Sequence, residues 1–295
     1  MIAVTGATGF VGRALCRTLE SRGERVLRIG RRDGDIAWPV DGAEFGQSAI
    51  AAMRGVRAVV HLAGESIGKR WTSDRCRSIR ESRVTLTGVL VRALAKLSLP
   101  PAVLVSASAV GYYGDRGDEM LDESSEPGRD FLARVTQEWE SATAPAATAG
   151  VRVTVMRMGV VLGPGGGMIG RLRFPFRMGL GARLGDGSQW MSWISLGDAV
   201  RWIVRSLDDD EISGPVNVVS PEPVTNGMFT GALGRAVGRP TLLAVPASAL
   251  RLAFGQMADG VLLASQRVRA ARMLDFGFGF EHPSLDDMLR LAVGS

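Results

Sequence analysis

The stretch Thr5-Gly6-Ala7-Thr8-Gly9-Phe10-Val11-Gly12 (residues 5–12) follows an apolar run at Ile2–Thr5 and opens an amphipathic segment at Gly9–Ser21. Its glycines have the spacing Gly-x-x-Gly-x-x-Gly. Gly6 permits a tight turn, Gly9 lets the backbone approach a pyrophosphate, and Gly12 lets a helix pack closely on a strand. The N–H groups at the start of a helix also favour phosphate. Because the glycines lie between a strand and a helix, they predict a dinucleotide-binding turn that consists of Gly6, Thr8, Gly9, Phe10, Val11 and Gly12.

Strand-like and helix-like segments alternate over the first half of the chain. Continuous apolar runs predict strands buried on both faces of a parallel sheet, and the segments between them predict helical crossovers. Besides Ile2–Thr5, the predicted strands are Arg25–Ile29, Ala58–Leu62, Val103–Ser106 and Val151–Met158, and the predicted helices are Gly9–Ser21, residues 72–97 and Phe131–Ala149. This order predicts an α/β protein with a Rossmann-type, doubly wound parallel sheet.

The pattern changes beyond Gly159. A glycine-rich loop at Gly163–Gly170 precedes a basic segment, Arg171–Gly187, for which we predict irregular structure. We therefore expect a dinucleotide-binding domain over residues 1–162, with a return segment near residues 191–219. A smaller C-terminal lobe, mainly residues 163–295, is expected to bind the substrate.

The end of the second predicted strand indicates which nicotinamide cofactor is bound. NAD-binding proteins usually carry an acidic residue there for the ribose 2′-hydroxyl. Here the strand is followed by Gly30-Arg31-Arg32. Since a guanidinium suits a 2′-phosphate, Arg31 and Arg32 predict NADP (NADPH) in preference to NAD. The alternative is that both arginines belong to a solvated turn.

Two further strands end in small or hydroxyl-bearing residues. Leu62-Ala63-Gly64 follows one strand, and Ser106-Ala107-Ser108 ends the next. In an open parallel sheet the ligand crosses just outside these carboxyl ends. We therefore expect Leu62, Ala63, Gly64 and Ser106 to contact the cofactor and Ser108 to bond a substrate oxygen, unless the serines merely terminate a strand.

Composition excludes several classes of protein. The 295 residues are 46% hydrophobic and 22% charged, which is typical of a globular protein. The net charge is +5, but only Lys69 and Lys96 are lysines and the arginines are spread along the chain, so we expect neither a nucleic-acid nor a membrane partner. With two cysteines, two histidines and no secretory pattern at the N-terminus, we expect no metal site and a cytoplasmic location.

Several motifs together resemble the atypical extended short-chain dehydrogenases/reductases, in the "epimerase family" branch that carries a C-terminal domain of unknown function. They include LAGESIGKRW (62–71), SR (82–83), SASAVGYYGD (from Ser106) and GVVLGPGGGM (159–168). The resemblance implies a Rossmann domain, a nicotinamide cofactor and a substrate lobe. It also implies that Glu65 and Arg83 contact the cofactor, that a homodimer forms through residues 72–97, and that Arg171, Arg173, Arg177 and Arg183 favour an anionic, nucleotide-sugar-like substrate.

The chain departs from the wider superfamily at its catalytic pair. That superfamily usually carries Tyr-x-x-x-Lys on one helix, whereas the corresponding helix here, Phe131–Trp139, has neither residue. Three alternatives remain open. Tyr112 or Tyr113 supplies the acid/base while Ser108 holds the substrate, or Glu65 or water moves the proton, or the fold binds NADP without efficient turnover. The corresponding functions are an NADP-dependent oxidoreductase or epimerase-like enzyme and an NADPH-binding regulatory or scaffold protein.

Overall fold

A computed structural model describes residues 1–31, 34–39 and 43–294 of the chain. The strands are β1 (Ile2–Thr5), β2 (Val26–Gly30), β3 (Ile36–Ala37), β4 (Ala58–His61), β5 (Val103–Ala109), β6 (Met120–Leu121), β7 (Arg152–Met158), β8 (Val160–Leu162), β9 (Ala182–Leu184), β10 (Trp190–Met191), β11 (Trp193–Ser195), β12 (Gly214–Val218), β13 (Val224–Thr225), β14 (Leu243–Val245) and β15 (Arg267–Val268). The helices are α1 (Phe10–Ser21), α2 (Gln47–Ala52), α3 (Ser73–Arg80), α4 (Leu86–Ala95), α5 (Phe131–Ser141), α6 (Ala144–Thr148), α7 (Gly167–Arg177), α8 (Leu196–Asp208), α9 (Asn226–Val237), α10 (Ala247–Phe254), α11 (Ala271–Asp275) and α12 (Leu285–Gly294).

Within the described residues, seven strands form one sheet in the order β12-β7-β5-β4-β1-β2-β3. Every neighbouring pair is parallel. The strand order reverses between β1 and β4, where Thr5 pairs with His61, and His61 pairs in turn with Ser106 of β5. The carboxyl ends of β1, β4 and β5 therefore meet at the switch point, where Rossmann folds bind their ligands. The predicted α/β Rossmann-type fold is confirmed.

Two apolar layers cover the sheet. On one face Leu15 and Leu19 of α1 pack with Trp202 and Ile203 of α8. On the other face Leu90 and Leu94 of α4 pack with residues of α2 and α6. Burial of each such side chain stabilises the fold by roughly 1.5–3 kcal/mol. These layers fix the sheet edge that carries the glycine turn.

The predicted helix over residues 72–97 is interrupted. Thr72 caps α3 by accepting a hydrogen bond from the backbone N–H of Arg75. Between α3 and α4 the chain forms one π-helical turn, Glu81–Thr85, and the hydroxyl of Thr87 in α4 donates to the carbonyl of Arg83 within this turn. A π turn inserts one residue into the helix and often lies at a functional site. Here it rotates Arg83 relative to a regular helix.

A third apolar cluster includes Trp193, Phe229, Leu233 and Leu289 and holds together the predicted C-terminal lobe. The chain returns from this lobe through α8, which packs on α1, and β12, which extends the sheet beside β7. The prediction of irregular structure for Arg171–Gly187 is wrong in part, because α7 and β9 form there. No helix in the described ranges is long and apolar enough to cross a membrane.

Candidate cofactor site

The glycine turn has backbone geometry that only glycine fits. Gly6 has a φ of +67°, and a Cβ atom there would lie 2.7 Å from the carbonyl carbon of Leu62. A Cβ atom at Gly12 would lie 2.1 Å from the carbonyl oxygen of Gly6. Gly9 is the N-cap residue of α1, and it makes no side-chain capping bond to that helix. Its first N–H groups are therefore available to a phosphate.

A cleft of about 580 Å³ opens above this turn at the ends of β1, β2 and β4. Of the predicted cofactor residues, those that line the cleft are Gly6, Thr8, Gly9, Arg31, Leu62, Ala63, Gly64 and Glu65. Sequence reasoning missed six other lining residues: Ala7, Ile29, Gly30, Trp38, Ser82 and Leu86. Ser82 belongs to the SR motif and could have been assigned with Arg83. Arg32 lies outside the described residues.

Phe10 and Val11 do not line the cleft, although both were predicted to contact the cofactor. Ideal Cβ atoms on Gly166 and Gly167 would lie 2.8 and 2.9 Å from the ring of Phe10. The glycine-rich loop therefore accommodates this ring and joins the C-terminal lobe to the start of α1. Val11 packs against the core under the sheet.

Charges converge at the end of the cleft near β2. The Glu65 carboxylate lies 3.6 Å from the Arg31 guanidinium and 3.1 Å from that of Arg75. Arg31 is the more exposed of the two arginines, so its side chain is accessible to an anionic ligand. Glu65 therefore lies at the end of the cleft where the sequence predicts the adenosine.

Arg83 lies behind the cleft wall. Its guanidinium donates to the carbonyls of Glu65 (3.0 Å) and Ile79 (3.3 Å), and it lies over the ring of Trp139. Burial lowers the pKa of Arg83 to about 10, while the charge of Glu65 acts in the opposite direction. A Cβ atom on Gly64 would lie 3.3 Å from this guanidinium. Arg83 thus supports the Gly64–Glu65 backbone instead of lining the cleft itself.

His61 is fully buried beneath the cleft. Its Nδ1 lies 2.7 Å from the Thr5 hydroxyl, and its Nε2 lies 2.9 Å from the Thr87 hydroxyl. Because Thr87 donates to the Arg83 carbonyl, it accepts from Nε2–H, and Nδ1 accepts from Thr5. Thr5 in turn accepts from the backbone N–H groups of Leu62 and Ala63. This set of bonds joins the cleft backbone to the π-helical turn.

The predicted catalytic residues belong to a buried polar network. Ser108 donates to Glu140 at 2.6 Å, and Glu140 forms a two-point ion pair with Arg157 at 2.9 Å. Arg157 donates to the hydroxyl of Tyr113 at 3.1 Å, and Tyr113 donates to Asn217 at 2.7 Å. Ser106 is also buried and does not line the cleft. These hydroxyls connect β5, β7, β12 and α5.

Tyr113 is therefore corrected from a candidate acid/base to a core residue. It is completely buried, and burial raises its pKa to about 12, even though Arg157 and Asn217 act to lower it. A proton donor at neutral pH needs access to the substrate and a pKa near the working pH. Tyr113 has neither. Tyr112 is half-buried, with its ring stacked on the Arg157 guanidinium.

The arginines predicted to favour an anionic substrate do not line the cleft above the glycine turn. A Cβ atom on Gly68 would lie 2.9 Å from Arg171, which places Arg171 beside the loop that follows Glu65. Arg177 instead approaches the carbonyl of Val293 in α12. No group of three or more potential metal ligands occurs among residues 1–31, 34–39 and 43–294.

The sheet order, the switch point and the glycine turn together define a Rossmann-type nucleotide-binding protein. Comparison with known families agrees with this class. The NAD dependent epimerase/dehydratase family matches residues 2–219, and a domain of unknown function, DUF1731, matches residues 245–292. The chain belongs to this NAD-dependent epimerase/dehydratase family, and the resemblance predicted from its motifs is confirmed.

Relatives share nearly its whole length. The epimerase family protein Mb2239 of Mycobacterium bovis is 44% identical, over 99% of this chain and 97% of the relative. The crystal structure of the human epimerase family protein SDR39U1 with NADPH has a TM-score of 0.91 at 32% identity, covering 100% of this chain and 99% of the human one. A nucleoside-diphosphate sugar epimerase from Corynebacterium glutamicum has a TM-score of 0.81 at 37% identity, covering 99% of this chain and 58% of that structure.

Proposed function

We propose that this chain binds NADPH in the cleft above the glycine turn and prefers it to NADH. The observation that carries the proposal is the exposed Arg31 guanidinium at the end of β2, on the lining of the same cleft as Gly6 and Gly9. The pyrophosphate would bind the uncapped N-terminus of α1, and the 2′-phosphate would bind Arg31. The NADPH bound to the human relative supports this preference.

Arg31 must exchange partners when it binds a phosphate. Its present neighbour is the Glu65 carboxylate, which also pairs with Arg75. A phosphate with two negative charges competes for Arg31, and Arg75 continues to balance Glu65. A cofactor without the 2′-phosphate leaves the Arg31–Glu65 contact in place and gains no binding free energy from Arg31. This difference favours NADPH.

We further propose that the chain is an NADP-dependent oxidoreductase or an epimerase-like enzyme that acts on a carbonyl compound or a nucleotide-sugar-like small molecule. NADPH supplies hydride chemistry when bound. The protein contributes the rigid cleft wall formed by the Leu62–Glu65 backbone, which Thr5 and Arg83 hold by hydrogen bonds. Membership of the epimerase/dehydratase family supports a small-molecule substrate.

A second candidate function is an NADPH-binding regulatory or scaffold protein with little turnover. The observation that favours it is the engagement of both predicted catalytic hydroxyls, those of Ser108 and Tyr113, in the buried network around Glu140 and Arg157. Both hydroxyls already donate hydrogen bonds within the protein, Ser108 to Glu140 and Tyr113 to Asn217.

Two measurements separate these functions. Titration of the purified protein with NADPH and NADH tests cofactor binding alone. Oxidation of bound NADPH is then followed by its absorbance in the presence of a panel of aldehydes, ketones and nucleotide sugars. Saturable turnover of any member supports the enzyme, tight NADPH binding without turnover supports the regulatory protein, and no binding of either cofactor rejects both.

A further inference from the structure

Helix α7 exposes a face that combines arginine with large apolar side chains. Arg171, Phe174, Arg177 and Met178 are all exposed and follow each other at helical spacing along this face. Phe174 is 73% exposed. The opposite face of α7 carries Ile169 and Phe176, which are buried in the lobe core. The helix therefore presents apolar groups to solvent in addition to those that it packs inward.

Neighbouring elements continue this surface. The backbone leaves α7, passes through Leu180 and enters β9. This strand pairs with β14, which begins directly after Leu242. The Arg239 guanidinium donates to the carbonyl of Arg177, which ties the segment before β14 to the end of α7. Leu242 is 89% exposed, and Leu252 on the following helix, α10, is 81% exposed.

The segments that form this surface are basic. Residues 163–185 and 223–258 contain no aspartate or glutamate, and their basic residues are Arg171, Arg173, Arg177, Arg183, Arg235, Arg239 and Arg251. The nearest carboxylates lie just outside these segments: Asp286 pairs with Arg235, Asp259 pairs with Arg251, and Asp186 interacts with Arg183. We name the surface formed by Arg171, Phe174, Arg177, Met178, Leu180, Arg183, Leu242 and Leu252 the arginine–apolar face.

We propose that the arginine–apolar face docks onto an anionic lipid surface. Interfacial segments bury Phe, Leu and Met at the headgroup boundary while their arginines attract acidic headgroups. In a symmetric dimer through this face, the arginines of one copy would lie against those of the other. The repulsion between these like charges opposes such a dimer. Phe174, Leu242 and Leu252 project from separate elements, and a membrane accepts them without a shape-matched partner.

This face adjoins the mouth of the cofactor cleft. The Arg70 guanidinium donates to the carbonyls of Leu252 and Ala253, each at 3.1 Å. Arg171 lies against Gly68 of the same loop. That loop directly follows Glu65, which lines the cleft. Docking would hold the cleft mouth beside the lipid headgroups, which departs from the sequence-based expectation of no membrane partner.

Flotation with lipid vesicles tests this proposal without requiring any activity. Vesicles of phosphatidylglycerol mixed with phosphatidylcholine should carry the wild-type protein to the top of the gradient, and vesicles of phosphatidylcholine alone should not. The pair Arg171→Gln and Arg177→Gln should weaken binding by at least about tenfold, and so should Phe174→Ser with Leu252→Ser. High salt should release the protein, since it screens surface charge.

Matched controls lie elsewhere on the molecule. Leu99→Ser removes an apolar side chain that is 79% exposed in the loop after α4, and Arg17→Gln removes an exposed arginine of α1. Both should float like the wild type, and thermal unfolding should show that all variants remain folded. Absent flotation, equal flotation with phosphatidylcholine alone, or full flotation of the face variants would overturn the proposal. A dimer in light scattering that Phe174→Ser with Leu252→Ser dissociates would also overturn it, because the face would then bind a second copy.

Discussion

The hydroxyl of Thr5 lies 2.7 Å from Nδ1 of His61, on adjacent strands at the point where the sheet reverses its order. Thr5 uses the same oxygen to accept from the backbone N–H groups of Leu62 and Ala63, which line the cofactor cleft. His61 thus determines how the Thr5 hydroxyl is oriented and, through it, how the cleft backbone is held. The imidazole must remain neutral for Nδ1 to accept this bond.

Acid should destabilise the protein through His61. Burial lowers the pKa of His61 from 6.5 to about 4. Between about pH 6.5 and pH 4, His61 is protonated in the unfolded chain but remains neutral in the folded chain. The free energy of unfolding therefore falls as the pH is lowered through this range. The loss attributable to His61 should reach about 2 kcal/mol near pH 5. Denaturant unfolding at several pH values measures it.

The variant His61→Gln supplies the control for this titration. Glutamine keeps a donor and an acceptor but does not titrate in this range. Its stability should be lower than that of the wild type at neutral pH and should fall less on acidification between about pH 6.5 and 4. Parallel pH curves for the two proteins would exclude His61 as the titrating group.

Removal of the Tyr113 hydroxyl should affect stability rather than cofactor binding. Tyr113→Phe deletes the bonds to Asn217 and Arg157 in the buried network, which should lower the free energy of unfolding by about 1–3 kcal/mol. NADPH affinity should be unchanged, because Tyr113 does not line the cleft. If a substrate is found, a fall in turnover of about a hundredfold or more at unchanged stability would restore Tyr113 to the mechanism.

Substitutions of Gly9 and Gly12, the two glycines at the start of α1, should have different effects. Gly9→Val places a side chain at the uncapped helix end, where a Cβ atom lies 3.1 Å from the Gly6 carbonyl, so NADPH binding should be lost with little change in circular dichroism. Gly12→Ala forces a Cβ atom to 2.1 Å from that carbonyl, so the thermal midpoint should drop as well. NADPH binding by Gly9→Val at wild-type affinity would show that the turn does not hold the phosphates.

The fold could be predicted from the sequence because the features that determine it are local. Apolar runs such as Ala58–His61 are buried on both faces, and the glycine spacing identifies the first turn. The break in residues 72–97 could not be predicted, since apolar periodicity continues across it and the π-helical turn at Glu81–Thr85 depends on backbone geometry that the spacing does not indicate. The helix α7 was missed because it contains Pro175 and two glycines, which normally indicate a loop.

The candidate site was predictable where residues lie at or directly after the end of a strand, as Gly6, Leu62 and Arg31 do. Gly6, Gly9 and Leu62–Gly64 line the cleft because strand ends converge there. Tyr113 looked accessible beside a strand end, but a tight helical turn at Val110–Tyr113 directs its ring into the core. The partner of Ser108 is Glu140, which lies far along the chain on α5, and no sequence spacing indicates that contact.

We propose that Arg31 makes the cleft selective for NADPH, and titration of one protein with both cofactors tests this role most directly. Nucleotide fluorescence should give a Kd for NADPH at least about tenfold below that for NADH, equivalent to about 1.4 kcal/mol. Arg31→Ala should remove this difference by weakening NADPH alone, and Arg17→Ala, an exposed arginine on α1, should retain it. Equal affinities of the wild-type protein for NADPH and NADH would contradict the account.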